Sequence, residues 1–581
     1  MRKSIALMIA LLCLSTASAC VKKEKGLAAN GVTIIVMDST QALLFDAQVQ
    51  IGKRTFKTSF DGRVVLKPEQ LNGVKSLSVT CEGFKDKTVS LTGERTQIVA
   101  LTAKPGKKPK DDIYYSYGTT RSGKRGDVMY KTAVLASAPA DGAPYEEEEA
   151  DVAYMVMEES KVGYGGAAKP MANNITAGKL TAGEVNDFAK WYFWPTVIDS
   201  THKRFINEWN IAPRQRYTVQ VMTKDGYPVT NYSVQLTDKN GNTVFQAVTD
   251  NTGKAELWNG LIGLPVDVDQ PAWQTIVLDE PCEVSSDVDV MFVFDATGSM
   301  GDELRYLQAE MKDVIARAKD ATGGLNICTG SVVYRDHGDE YITRISRLTE
   351  DIKTTQAFID KQQANGGGDY PEAVPEALMA ALNSAGWNES ARARIAFLIL
   401  DAPCHQDSAT IALLHEQILN ASALGVRLVP VVCSGLGESG EYLLRAMALA
   451  ANGTSFFLTD DSGIGNKHLK PTTDSLKVEH LNDMLVRTIV EFSKMPECKP
   501  IEETEELTED EQFLPNPFKA EDVERDPTIP HGEGVHYLID VSGKLLGIFE
   551  GDVKTDHLPI GVYFIKSFYE GQWHTKKILV R

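Results

Sequence analysis

The pattern of hydrophobic and polar positions is clearest between residues 287 and 319. A near-continuous apolar run over 288–294 predicts a strand that is buried on both faces, as in parallel sheets. From Gly301 to Lys319 the apolar residues recur at helical spacing, which predicts a helix with one buried face. Strand and helix patterns continue to alternate as far as residue 498. This alternation predicts an α/β fold for residues 282–498.

Oxygen-bearing side chains follow the first of these strands directly. Asp295 ends the strand, and Thr297 and Ser299 come next with only small residues between them. A second buried strand, residues 395–400, ends in the same way at Asp401. Open α/β sheets bind their ligands at the carboxyl ends of the strands, and hard oxygen ligands suit Mg, Ca or Mn. The pattern therefore predicts a divalent-cation site at this edge of the sheet.

Short alternating runs in two other segments predict two β-sandwiches. They occupy residues 31–104 and 213–281. The stretch TIIVMDSTQALLFDAQVQI in the first parallels TVQVMTKDGYPVTNYSVQL in the second, residue class by residue class. Because repeated modules bury their surfaces by stacking on one another, we expect a stalk-like pair of sandwiches.

The remaining segments differ in composition. Residues 105–179 and the acidic stretch 499–530 are predicted to be linkers. Residues 180–212 are rich in aromatic side chains and predict a helical segment. These aromatics suit either a sugar-binding platform or, the interpretation that we favour, packing against neighbouring domains. Residues 531–581 predict a small C-terminal β-module.

The first 20 residues have the organisation of an export signal. Arg2 and Lys3 give a positive start, residues 5–14 are apolar but too few to span a membrane, and small residues follow up to Cys20. The segment resembles a bacterial lipoprotein signal, which implies acylation of Cys20 and a membrane anchor. The alternative is an ordinary signal peptide that is cut near Ala19. Both interpretations predict export, and the first predicts a lipid-anchored protein of the outer membrane or cell surface.

The net charge and the absence of several catalytic motifs exclude some classes of function. The net charge of −19 argues against nucleic acid or an acidic membrane surface as the main partner. The sequence contains no P-loop, no complete zincin helix and no Gly-x-Ser-x-Gly motif. Cys404 and His405 are adjacent, but no activating partner is evident, so loop packing is the role expected for them. We therefore expect a protein that is not an enzyme, and we assign no catalytic residues.

The DATGS run at residues 295–299 resembles the first motif of the metal-ion-dependent adhesion site of von Willebrand factor A domains, Asp-x-Ser-x-Ser, with Thr297 in the middle serine position. The loop NGGGDYPE, residues 365–372, and the loop at Asp401 follow in the family's order. The resemblance implies a doubly wound, Rossmann-like fold that holds one divalent cation, Mg or Ca, and it places Asp369 where the family has a threonine. The implied ligands are Asp295, Thr297, Ser299, Asp369 and Asp401.

The same resemblance bears on the cysteines and on function. Because the termini of these domains lie close together, it implies a disulfide between Cys282 and Cys498 in an oxidising compartment. Cys328 and Cys433 lie in apolar strands and are expected to be buried thiols.

In the family, an Asp or Glu of a partner completes the coordination of the metal. We therefore expect a binding or adhesion protein with a protein ligand. The alternatives are an envelope scaffold whose metal only rigidifies loops and, more remotely, a metal-dependent hydrolase.

Two accessory segments carry resemblances of their own. Residues 31–104 are similar to carboxypeptidase-regulatory-like domains, which have no catalytic activity. The runs DVSGKLLG, LPIGVYFIKSF and HTKKILVR within residues 531–581 resemble the C-terminal sorting domain of the type IX secretion system of Bacteroidetes. That resemblance implies secretion and attachment at the cell surface, so the sorting module and the lipid anchor are alternative modes of attachment.

Overall fold

The computed structural model describes residues 31–105, residues 175–498 and four strands between 535 and 580. Isolated positions inside these ranges are not described: 60, 72, 93, 95, 192, 199–201, 302, 474 and 475. The predicted signal segment with Cys20, the linker 499–530 and almost all of the linker 105–179 lie outside the described residues.

The first module consists of two sheets around one core. Its elements are β1 (Val32–Asp38), β2 (Gln48–Ile51), β3 (Arg54–Lys57), β4 (Arg63–Leu66), α1 (Pro68–Leu71), β5 (Ser76–Thr80), β6 (Lys87–Ser90) and β7 (Thr96–Leu101). In the first sheet β1 lies between β4, which is antiparallel to it, and β7, which is parallel to it. The second sheet has the order β3-β2-β5-β6. Alternate side chains of both sheets, such as Ile34 and Val49, are buried between them because successive residues of a strand point to opposite faces.

The segment 180–212 differs from the helical segment that the sequence predicts. It begins with a strand, β8 (Thr181–Val185), and only then forms two short helices, α2 (Trp194–Thr196) and α3 (Lys203–Trp209). Strand β8 belongs to the sheet of the α/β domain. The helical prediction rests on the aromatic residues of the segment. The conformation of the five residues of β8 is decided instead by pairing with strands elsewhere in the chain.

The second module repeats the topology of the first. Its strands are β9 (Gln215–Thr223), β10 (Ser233–Thr237), β11 (Thr243–Val248), β12 (Lys254–Asn259) and β13 (Trp273–Leu278). Here β9 lies between antiparallel β12 and parallel β13, just as β1 lies between β4 and β7. Strands β10 and β11 form a separate hairpin. The two modules that are similar in sequence therefore also share the same pattern of strand pairing.

The α/β domain is built on an eight-stranded sheet. Besides β8, its strands are β14 (Asp287–Asp295), β15 (Asn326–Tyr334), β16 (Thr343–Thr349), β17 (Ala393–Leu400), β18 (Val426–Val432), β19 (Ser455–Leu458) and β20 (Val478–His480). Their spatial order is β16-β15-β14-β17-β18-β19-β8-β20. The block from β15 to β19 is parallel, whereas β16 at one edge and β8 and β20 at the other are antiparallel to their neighbours.

Helices cover both faces of this sheet. They are α4 (Leu304–Ala321), α5 (Ile352–Asp360), α6 (Val374–Ser384), α7 (Ser408–Leu424), α8 (Glu438–Ala450) and α9 (Leu481–Ser493). Val290 and Phe292 of β14 pack in one core with α4 and α9, while Met291 and Val293 pack in the other with α6, α7 and α8. The central strand is thus buried on both faces, as its apolar run predicts.

Local signals determine where individual helices begin and end. The Asp407 side chain accepts hydrogen bonds from the backbone N–H groups of Ala409 and Thr410 at the start of α7, which satisfies two donors that the helix leaves free. Gly425 ends the same helix in the left-handed conformation, with φ of 65°. The turn to β18 follows immediately because glycine adopts this conformation without a steric penalty.

The two β-modules dock on the α/β domain, so the expected stalk of stacked sandwiches is wrong. In the first module, Leu43 N donates to Thr343 O (3.4 Å) and Arg63 Nη1 donates to Asn383 O (3.2 Å). In the second, Asn231 Oδ1 accepts from Arg394 Nη2 at 2.6 Å. Apolar residues of both modules belong to one core with α6, α7 and α8. Repetition in sequence predicted the modules but not the surface against which each one packs.

The aromatic residues of segment 180–212 fill the space against α8, as the packing interpretation predicts. Trp194 and Trp209 are fully buried. Trp194 stacks on Tyr442 with ring centroids 6.2 Å apart, and Trp209 Nε1 donates to Ser439 Oγ at 2.9 Å. Arg445 of α8 anchors the same segment.

A disulfide joins Cys282 to Cys498, the pair expected from the sequence, with Cα atoms 5.6 Å apart. It connects the residues just before β14 and just after α9, so it closes the domain at its base. Cys433 is a buried free thiol. Cys328 is disulfide-bonded, so the expectation of a free thiol at that position is wrong.

The C-terminal residues form a four-stranded antiparallel sheet of order β22-β21-β23-β24. Its strands are β21 (Val535–Asp540), β22 (Leu545–Glu550), β23 (Gly561–Tyr569) and β24 (Gln572–Val580). A β-module is therefore present where the alternating pattern predicts one. None of the helices in the described part of the chain is both long enough and apolar enough to cross a membrane.

The hydrogen bonds of Arg445 with Asp187 and Glu441 connect segment 180–212 to α8, and their contribution to stability can be measured. Arg445 is 1% exposed and binds Asp187 through two hydrogen bonds of 2.9 and 2.6 Å, and Glu441 through one of 2.8 Å. Arg445→Met leaves both acids without their cation, and we expect a loss of about 3–5 kcal/mol in the free energy of unfolding. The exposed pair Arg204–Glu438 is the control, because Arg204→Met should change stability by less than about 1 kcal/mol. Chemical denaturation followed by tryptophan fluorescence measures the free energy of unfolding of both variants. Equal losses in the two variants would contradict the conclusion that Arg445 anchors segment 180–212 to the α/β domain.

Asp289 generates a prediction about pH. It is fully buried in β14, its Oδ2 accepts from Asn388 N at 2.6 Å, and burial raises its pKa to about 7. Because the folded state holds this proton above the pH at which the unfolded chain releases it, the group lowers stability as pH rises from about 4 to 7. Asp289→Asn removes that titration, so its stability relative to the wild type should improve by a few kcal/mol between pH 5 and pH 8. Thermal unfolding at the two pH values measures this, and a pH-independent difference would count against it.

Candidate metal centre

Two buried carboxylates lie side by side at the carboxyl edge of the sheet. Asp295 is the last residue of β14, and Asp401 follows β17 directly. These strands are parallel neighbours with Phe294 opposite Ile399, so their ends coincide. Asp295 is 0% and Asp401 4% exposed. The position is the one at which open α/β sheets bind ligands.

The hydroxyls of the first loop connect these two acids. Asp295 Oδ1 accepts hydrogen bonds from Thr297 N (2.9 Å) and Thr297 Oγ1 (2.6 Å). Thr297 Oγ1 lies 3.2 Å from Ser299 Oγ, and the Ser299 hydroxyl reaches Asp401. Thr297 is buried whereas Ser299 is exposed. The chain of polar groups therefore runs from the sheet to solvent.

The glycine-rich loop is held directly against the first loop. Asn365 N donates to Ala296 O at 3.0 Å, and Gly298 N donates to Gly366 O at 3.1 Å. Gly367 has φ of +72°, and a Cβ there would lie 3.1 Å from both Thr297 Cβ and Glu372 Oε1. Glycine is therefore required at this position for conformation as well as for close approach.

Glu372 is the acid that the glycine-rich loop contributes to this centre, although the sequence pattern predicts Asp369 in its place. It is 2% exposed, and its carboxylate forms a hydrogen bond with Thr297. Burial, together with the charges of Asp295, Asp336 and Asp401, raises the pKa of Glu372 to about 10. Its backbone N–H donates to Pro403 O at 2.9 Å, which holds it beside the loop that follows β17. The only feature of the sequence that points to Glu372 is that it is a second acidic residue in the glycine-rich loop.

Asp369 lies in a different cluster. It is exposed, and its carboxylate and side-chain atoms of Asp336 and His405 lie within 4.8 Å of one another. Within the described part of the chain, no hydrogen bond connects Asp369 to Asp295, Thr297, Ser299 or Asp401. The structure thus gathers four of the five residues that the sequence predicts and brings Glu372, rather than Asp369, to them.

The donor set fits a hard divalent cation. Asp295 Oδ2, Glu372 Oε2 and Asp401 Oδ1 are buried, and none of them has a partner in normal hydrogen-bond geometry within the described residues, although the Tyr334 hydroxyl acts on Asp295. Buried polar atoms normally have partners, so three such oxygens around two hydroxyls point to an ionic ligand. Burial and the charge of Asp401 raise the pKa of Asp295, and burial raises the pKa of Asp401. Oxygen ligands of this kind suit Mg or Ca.

Arg335 braces the loops around the centre. It is 5% exposed, and it donates from Nε to Ala296 O (3.2 Å) and from Nη2 to Gln363 O (2.9 Å). One guanidinium thus holds the first loop and the start of the glycine-rich loop together.

Comparison with known proteins identifies part of the chain. Residues 289–434 match the family model described as von Willebrand factor A domain. A protein from Acanthamoeba polyphaga mimivirus, described as an ariadne-like RING finger protein, is 35% identical to this chain over 124 residues. That match covers 21% of this chain, and the chain spans only 12% of the length of the viral protein.

The matched residues contain every element of the candidate centre, from β14 and its loop to the loop after β17. Domains of this family commonly mediate protein–protein interaction and adhesion, and they often bind a divalent metal. Residues 289–434 of this chain form a von Willebrand factor A domain.

Proposed function

We propose that this chain is an exported binding protein whose von Willebrand factor A domain engages a partner protein through a divalent cation. Asp295, Thr297, Ser299 and Asp401 hold the ion, together with Glu372. The observation that carries the proposal is the set of three buried carboxylate oxygens without partners, behind a serine that is open to solvent. A bound cation offers a coordination position at the surface that an acidic side chain of the partner can fill.

The surroundings of the centre support a protein ligand. Tyr370 is 50% exposed beside the glycine-rich loop, and its hydroxyl accepts a hydrogen bond from Gly437 N at 3.0 Å. The hydrogen bond limits the motion of an aromatic side chain that is otherwise free for contact. Tyrosine is enriched at the centres of protein interfaces. No catalytic role is assigned, because binding accounts for the centre without a second set of reactive groups.

Three acids around one ion have consequences for affinity. If Asp295, Glu372 and Asp401 are all ionised, the centre keeps a net negative charge after a divalent ion binds. The ion is then held strongly by Coulomb attraction, but it attracts an incoming carboxylate less. We therefore propose strong metal binding, a preference for Ca, which accepts several carboxylates, and weak or multivalent partner binding.

A structural scaffold is the second candidate function. Both β-modules and segment 180–212 pack on the α/β domain and share its core. That arrangement favours a role in which the domain organises its neighbours and the metal only stabilises the loops. The two functions differ in whether partner binding requires the metal.

Export and attachment belong to the same proposal. The segment 1–20, with Cys20 as a lipidation site, directs the chain out of the cytoplasm, and the chain is held at the outer membrane or cell surface. Support comes from the charge and hydropathy pattern of that segment and from the C-terminal β-module, whose sequence resembles a type IX sorting domain. A lipid anchor and the sorting module remain alternative attachments.

Calorimetric titration of the metal-free protein with Mg or Ca tests the ligand set. Asp295→Ala should abolish binding, and Glu372→Gln should weaken it by about tenfold or more, because each removes a buried anionic oxygen donor. Asp369→Asn is the matched control, since its carboxylate lies in the other cluster, and it should leave the affinity for these ions within about twofold. A large loss in the Asp369 variant with none in the Glu372 variant would reverse the assignment of the loop.

Pull-down from an extract of the cell envelope, with and without a chelator, separates binding from scaffolding. The metal-dependent binding protein should lose its partner in chelator and recover it when Ca or Mg is restored. Asp295→Ala should fail to capture the same partner in either condition. Capture that is indifferent to the chelator and to this substitution would favour the scaffold.

A further inference from the structure

A second polar cluster lies next to the first centre and has a different chemical character. It consists of Asp336, Asp369 and His405, each with one donor atom within 4.8 Å of the others. The three residues follow β15, precede α6 and follow β17, respectively. Three loops that meet at one edge of the sheet therefore bring an imidazole and two carboxylates together.

We propose that Asp336, Asp369 and His405 form a second cation site, selective for a divalent transition ion such as Zn²⁺. An imidazole with two carboxylates is a ligand set that zinc accepts, with a fourth position left open to water or a partner. Imidazole nitrogen distinguishes this cluster from the all-oxygen first centre, and affinity for nitrogen ligands rises towards the later transition ions. The proposal is independent of the function assigned to the first centre.

The observed geometry is close to that of a bound ion. His405 Nε2 lies 2.8 Å from Asp336 Oδ1, so a single proton is shared where an ion would bind. Zinc bonds of about 2.0–2.1 Å in a tetrahedral arrangement separate neighbouring ligand atoms by roughly 3.3 Å. Replacement of the proton by zinc therefore requires these two atoms to separate by only about half an ångström, while exposed Asp369 moves in from the surface.

A buried carboxylate behind the cluster indicates that positive charge is missing there. Glu376 is 5% exposed, and its Oε1 lies 3.1 Å from His337 Nε2 as an ion pair, but neither of its oxygens is in hydrogen-bond geometry with a described residue. The His337 ring lies 5.7 Å from the His405 ring, so the Glu376–His337 pair backs directly onto the cluster.

The acids around the cluster carry more negative charge than the neighbouring histidines can compensate. Asp336 and Glu376 are buried, Asp369 is exposed beside them, and all three acids bear on His405. A simple His–Asp hydrogen bond would explain one acid and one imidazole. It would not explain Asp369, which lies beside this pair and repels Asp336 unless a cation lies between them, whereas Glu376 is paired with His337. A divalent ion at this point compensates the acids and takes the place of the proton that His405 shares with Asp336.

Zinc titration of the full chain, freed of metal and kept in excess Mg to occupy the first centre, tests the proposal. The readout is competition with a chromophoric zinc chelator, together with zinc content by mass spectrometry after gel filtration. Wild type should bind one zinc ion per chain at this site. His405→Gln and Asp369→Asn should each weaken zinc binding by about tenfold or more. Asp369 is exposed, so its variant should fold even if the His405 variant does not.

Two controls distinguish this site from the first centre and from zinc bound by an isolated surface histidine. His480→Gln removes an exposed histidine far along the chain, and it should leave zinc affinity unchanged. Asp295→Ala should abolish Mg binding at the first centre while zinc binding survives. The proposal is overturned if zinc affinity is unchanged in both cluster variants, or if zinc is lost in Asp295→Ala and retained in His405→Gln.

Discussion

Like charges buried side by side are the constraint on which this domain depends. Asp295 and Asp401 end neighbouring parallel strands, so the fold itself forces two carboxylates together in a place with little water. Such an arrangement is costly unless donors and cations surround it. The hydroxyls of Thr297 and Ser299 contact the two acids directly. The packed glycines of the next loop and the guanidinium of Arg335 hold the surrounding backbone in place. A divalent cation, bound as proposed above, would complete the same electrostatic arrangement.

Much of the α/β domain could be predicted because its strands carry strong local signals. The runs that end at Asp295 and Asp401 are apolar on both faces, which only a central strand of a parallel sheet requires. The positions of both acids follow from those strands. The glycine-rich loop is different, because the sequence predicts Asp369 as its ligand, whereas the structure brings Glu372, three residues later, to the two acids. Which of them turns inwards depends on the bond of Glu372 N to Pro403 O, a tertiary contact that local sequence does not encode.

Long-range assembly was the other part that the sequence did not reveal. Both repeated modules were recognisable by their alternation, yet their packing surfaces depend on particular contacts such as Asn231 with Arg394. In the same way, nothing local marks Thr181–Val185 as a strand of a sheet whose other members begin more than a hundred residues later. His405 illustrates the limit for chemistry. It was assigned to loop packing because its partner Asp336 lies in a separate loop.

Strand β8 makes the α/β domain discontinuous along the chain. It lies between β19 and β20, yet the whole second module separates it from β14 in sequence. A fragment cut at the disulfide-bonded Cys282 would lack an interior strand of its own sheet. Strand β19 would then become an open edge, available for pairing with another molecule, and β20 would have nothing to pair with. The smallest fragment expected to fold autonomously therefore begins before Thr181 and carries the second module as an insertion.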